Sequence, residues 1–104
     1  MHDVYLGEIE NTAKYMIDSS NGTADLYITG DEDYLNNITK PLSYVLKNRG
    51  FNLIRISKME KAVSGKSLYY IASSQKDDYK KTIEGRLVKD AKVLGKILIY
   101  NIDN

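Results

Sequence analysis

The sequence predicts an α/β domain: a small three-layer sandwich with a mainly parallel four-stranded sheet plus an extra N-terminal helix. Three observations point there. Four short stretches (24–29, 51–57, 67–73 and 96–101) are rich in β-branched, aromatic and other apolar residues. Between them run segments whose apolar residues recur at spacings of three and four. Each of the two long helical segments inside the core has a strand before and after it, the order that right-handed crossovers produce. At 104 residues the chain supports one domain with one continuous core, residues 1–20 forming the added helix and 24–104 the core.

The first helix is expected from Val4 to about Ser19. Leu6, Ile9, Ala13, Met16 and Ile17 line one face, Asp3 stands as N-cap, and Asn21-Gly22 stops it. A strand, Ala24 to Thr29, ends at Gly30 and the acids Asp31-Glu32-Asp33. The next helix carries Leu35, Ile38, Leu42, Val45 and Leu46, and Gly50 closes it. Pro41 fits best in a first turn, where its missing N–H costs nothing, so this helix is placed from about Thr39 to Arg49 after a short acidic turn. Phe51–Ser57 is a strand whose basic, exposed alternation suits a sheet edge, and Ser67–Ser73 is a strand covered on both faces. The longest helix is expected from Gln75 to Leu94, with Tyr79, Ile83, Leu87, Val88, Ala91 and Leu94 as its stripe. Ser74 is its N-cap, Asp77 lies three residues on, and Gly95 follows its end. Lys96–Asn101 is the last strand.

Residues 58–66 decide the topology. A short helical crossing there gives the parallel, flavodoxin-like sheet; a hairpin loop gives instead a ferredoxin-like α+β sandwich.

Composition excludes several chemistries. There is no cysteine, hence no disulfide framework or thiol nucleophile, and His2 is the single histidine, so no serine has a histidine base. No apolar run approaches the ~18–20 residues that span a bilayer. Residues 1–4 do not resemble a signal peptide, so the expectation is a cytoplasmic protein without membrane contact. Ser64-Gly65-Lys66-Ser67 ends like a phosphate-binding loop, but Glu60 stands where that motif needs glycine and a strand follows where it needs a helix.

Charge is sorted along the chain. Residues 1–35 hold eight acids and one base, whereas residues 36–66 hold seven bases and one acid, within a net charge of +1. Two candidate sites follow. Lys47, Arg49, Arg55, Lys58, Lys61 and Lys66 would form a basic stripe for nucleic acid or another polyanion, phosphate contacts being favoured over base reading. The strand ends carrying Asp31, Glu32, Ser73, Ser74 and Asp103 would meet in a crevice for a nucleotide or a Mg²⁺ ion, as in a phosphoryl-transfer enzyme or hydrolase. Ordinary roles compete with that site: helix capping for Ser74 and Asp31, and a frayed terminus for Asp103. The acidic and basic thirds also fit self-association into a homo-oligomer, or neutralisation within one chain. The leading expectation is a binding or interaction module rather than an enzyme.

Overall fold

The computed structural model describes residues 6–20, 22–75 and 79–104. It is an α+β fold of two helices against a six-stranded mixed sheet. Helix α1 (Leu6–Ser19) buries Ile9, Thr12, Ala13 and Met16. Thr12 stays satisfied there because its hydroxyl donates to the Glu8 carbonyl at 2.7 Å. The expected caps at Asp3 and Asn21 lie outside the described residues. Strand β1 (Asp25–Gly30) leads directly into α2 (Glu32–Asn48).

Helix α2 starts seven residues before Thr39, the expected start. Asp31 is its N-cap, its Oδ1 accepting the Asp33 N–H at 2.9 Å, and the acids at 32 and 33 complement the helix dipole. Tyr34, Leu35 and Ile38 then have a core to enter, and their burial outweighs the hydrogen bond that Pro41 removes. Pro41 sits on the exposed side of the helix.

The strand order is β2-β1-β3-β6-β5-β4. Strands β2 (Asn52–Arg55) and β3 (Ser67–Ser73) run parallel to β1 on either side of it. Strand β6 (Ile97–Ile102) is antiparallel to β3, and β5 (Arg86–Leu94) and β4 (Thr82–Ile83) continue antiparallel to the far edge. The sheet is therefore neither four-stranded nor mainly parallel, and with helices on one face it is not a three-layer sandwich. Among the described residues no helix follows β3, so it is not the ferredoxin-like alternative either. Strand β2 does lie at an edge, as its polar alternation suggests.

Alternation assigns the two faces. Leu26, Ile28, Tyr69, Ile71, Ile97 and Ile99 pack under both helices. Tyr27, Leu68, Ala72, Leu98, Tyr100 and Ile102 point the other way. That second face is covered by the β2–β3 connection, whose short 3₁₀ turn (Met59–Lys61) drives Met59 to 1% exposure, and by Ile83 from β4. The chain moves outward from β1 to β2 through α2 and then back across β1 to β3. Reversing direction while keeping right-handed crossovers puts the second connection on the opposite face.

The expected helix over 75–94 is the main correction: those residues that are described form a turn and the β4–β5 hairpin. Ile83 pairs with Arg86, and Glu84 and Gly85 between them both have positive φ (50° and 79°), the two-residue turn that matches strand twist. The helical spacing has a physical origin. A bulge between Val88 and Asp90 inserts one residue into β5, so Val88 and Ala91 reach the same face three positions apart instead of two. With no helix among the described residues there, Ser74 does not have the expected capping role; its hydroxyl donates to the Gly95 carbonyl at 2.8 Å. Gly95 belongs to the two-residue β5–β6 turn, and the expected capping partner Asp77 lies outside the described residues.

Candidate functional site

The five residues expected at a crevice divide between the two ends of the sheet. Asp31, Glu32, Ser73 and Ser74 share one end. Asp103 follows Ile102, which pairs with Leu68 at the beginning of β3, so it lies at the other. Nor is there a gap between the ends of β1 and β3. Gly30 lies directly on Ile71, and the Asp31 N–H donates to the Ile71 carbonyl at 2.8 Å. Ser73 is buried, its Oγ accepting the Tyr34 hydroxyl at 3.3 Å and the Gln75 N–H at 3.2 Å. Among the described residues, no group of three or more carboxylates or histidines is placed to hold a metal ion.

An open cleft of about 360 Å³ does form at this end, between the ends of β1 and β2, with Thr29, Glu32, Arg55 and Ser57 on its walls. It brings one residue of each expected set, Glu32 and Arg55, to the same hollow. The Arg55 guanidinium is held from α2, donating to Asn36 Oδ1 at 2.8 Å.

The six basic residues do not form one stripe. Lys47 and Arg49 end α2, beside the start of β2, while Arg55 lies at the other end of that strand. Arg49 contacts Glu10 of α1 at 2.7 Å, and Lys66 lies 3.9 Å from Asp25. Both partners come from the acidic third, so part of the charge asymmetry is neutralised within one chain. Both pairs are partly exposed and open to solvent screening, so they contribute little to stability. Lys58 precedes the 3₁₀ turn and Lys61 ends it, and Lys58 shares a hollow of about 460 Å³ with Glu60, Glu84 and Arg86.

A different surface emerges at β5, which the sequence reading assigned to a helix. Strand β4 is only two residues long and pairs with Arg86 and Leu87, and the Val88 N–H donates to the Lys81 carbonyl at 3.0 Å. Beyond that point, among the described residues, no strand pairs with the outer edge of β5. Leu94 pairs with Ile97 across the two-residue turn, so Leu94, Lys92 and Asp90 direct their peptide groups toward β6. Ala91 and Val93 therefore direct theirs outward. Val93 is 48% exposed, and Lys89, Asp90 and Lys92 are also exposed.

Helix α1 fixes one side chain of this edge. The Tyr15 hydroxyl donates to Asp90 Oδ2 at 2.8 Å, and the Tyr15 ring meets Tyr69 edge to face with centroids 6.4 Å apart. Behind it the Tyr69 hydroxyl donates to the Met16 carbonyl at 2.8 Å and lies 2.9 Å from Ser19 Oγ. Burial is the largest cause raising the Tyr15 phenol above its ordinary value, with the Asp90 carboxylate adding to it; burial likewise raises Tyr69, against a lowering contribution from Ser19.

These shifts set an alkaline limit. Each native phenol holds its proton more tightly than the unfolded chain, whose tyrosines titrate near about pH 10. The stabilisation is complete below that pH and is lost as pH rises toward the native values. Urea midpoints measured from pH 8 to 11.5 are expected to fall above pH 10, and to fall less steeply in the Tyr15→Phe, Tyr69→Phe double variant. Parallel pH profiles for the two proteins would refute this assignment.

The residues of this edge carry no motif that sequence reading recognises; the available signal was Gly85, a turn residue inside a supposed helix. Compared with known proteins, the chain matches no family model, no curated protein and no solved structure.

Proposed function

We propose that the protein is a small interaction module whose working surface is the outer edge of β5, where it takes up an extended segment by adding a strand to its sheet. The observation that carries this reading is the outward-facing peptide groups of Ala91 and Val93, which no described strand pairs, next to a half-exposed valine. Unpaired edges are usually shortened, bulged or charged to prevent such pairing. Here the bulge protects one end, at Val88 to Asp90, and leaves the other open. Main-chain hydrogen bonds would supply affinity and the alternating side chains selectivity. The other readings have less support. The basic residues are dispersed and partly paired with acids, and Ser73, Ser74 and Asp31 are engaged in the fold's own hydrogen bonds.

Amide hydrogen exchange on dilute protein tests the reading. The Ala91 and Val93 amides are expected to exchange at rates near those of open loops, while those of Asp90 and Lys92, bonded to β6, exchange slowly. If Ala91 and Val93 are as protected as their neighbours in the dilute monomer, the edge is covered by the chain itself and the reading fails. A salt-dependent shift in nucleic-acid anisotropy that Lys58→Glu and Lys61→Glu abolish would favour the polyanion reading instead.

A further inference from the structure

The side chains of β5 restrict which segment fits its edge. In regular antiparallel pairing, residues directly opposite are either both bonded across the pair or both not, so groups facing outward must meet groups facing outward. For two copies of β5 related by a two-fold axis, this leaves registers centred on a single residue. Centring on Asp90 sets Asp90 against itself, and centring on Lys92 sets Lys92 against itself; like charges directly opposite destabilise a sheet. Centring on Val93 runs the overlap into the β5–β6 turn at Gly95. Centring on Ala91 has none of these faults. Asp90 of each copy then stands opposite Lys92 of the other, twice by symmetry, in the closer, non-bonded type of pair. Ala91 meets Ala91 with little side chain to obstruct it, and each Val93 has its neighbouring surface covered.

Resting on the edge reading above, we propose that the segment taken up is β5 of a second copy of this chain. The two strands pair antiparallel about Ala91, with reciprocal Asp90–Lys92 contacts, joining the two sheets. Such a contact is isologous and closes on itself. The opposite edge of the sheet is the four-residue β2, exposed at Asn52 and Arg55, which disfavours further growth. Tyr15 orients Asp90 for the pair through its 2.8 Å hydrogen bond, leaving the other carboxylate oxygen for Lys92.

Sedimentation velocity at low salt over a range of concentrations tests the pairing. The wild type is expected to form a reversible dimer. Asp90→Lys and Lys92→Asp each place like charges opposite one another and are expected to weaken it roughly tenfold or more. An equimolar mixture of the two variants restores matched charges and is expected to give a heterodimer, and the double exchange D90K/K92D a homodimer. Circular dichroism confirms that each variant is folded, and Tyr15→Phe controls for the hydrogen bond lost in Asp90→Lys. A wild type that stays monomeric at every concentration overturns the pairing, and a dimer indifferent to the exchanges overturns the register. In either case, fast exchange at Ala91 and Val93 in dilute protein would leave the edge reading standing.

Discussion

Gly30→Ala is expected to cost about 3–5 kcal/mol, the sum of backbone strain and overpacking, a large share of the ~5–15 kcal/mol that stabilises a typical domain. Gly30 has φ of +135°, a region that side chains rarely tolerate. A Cβ there would press into the main chain of Ile71, onto its carbonyl oxygen. That oxygen cannot move aside, because it accepts the Asp31 N–H that turns β1 into α2. One substitution thus strains the backbone, separates two central strands and disturbs the start of the longest helix. Gly50 provides the comparison: its φ is +86° but a Cβ would meet nothing within 4 Å, so Gly50→Ala should cost only about 1 kcal/mol of strain. Urea unfolding of the two variants separates the contributions. Equal losses would mean that the Ile71 contact is unimportant and that only the dihedral matters.

How far such features could be read from the chain depends on whether their cause is local. Ser67–Ser73 and the last strand declare themselves because β3 and β6 are buried on both faces and need continuous apolar runs. The start of α2 was legible in Asp31-Glu32-Asp33, but Pro41 argued for a later start, and only the burial of Tyr34, Leu35 and Ile38 decides between them. At β5 the local signal pointed the wrong way: a bulge turned a strand's period of two into a spacing of three, and Val88 and Ala91 imitated a helical stripe. The candidate interface depended on that error, since an open edge has no meaning until the strand and its neighbours are known. The sorted charges were legible at once, yet the pairing of Glu10 with Arg49 and of Asp25 with Lys66 arises from packing between distant segments.

Met59→Ala is expected to destabilise the protein by about 2–5 kcal/mol, as for large-to-small changes in a core. Its segment is mostly polar, and the surrounding Lys58, Glu60 and Lys61 are exposed, so the sequence gives little reason to expect a core residue there. The second face of the sheet explains it. That face carries Tyr27, Leu68, Ala72, Leu98, Tyr100 and Ile102, and among the described residues no α-helix packs on it. The β2–β3 connection crosses them with a 3₁₀ turn rather than an α-helix, and Met59 is its fully buried contribution to the cover. A flexible, unbranched side chain suits an irregular gap of this kind. Met59→Leu, which keeps the volume, should cost less than about 1.5 kcal/mol. Chemical denaturation of both variants distinguishes a wedge from a loop that merely lies over the sheet. In the second case Met59→Ala would lose under ~1 kcal/mol, within the range typical of surface substitutions and small repackings, and strands β1, β3 and β6 would be stable with one face closed by the helices alone.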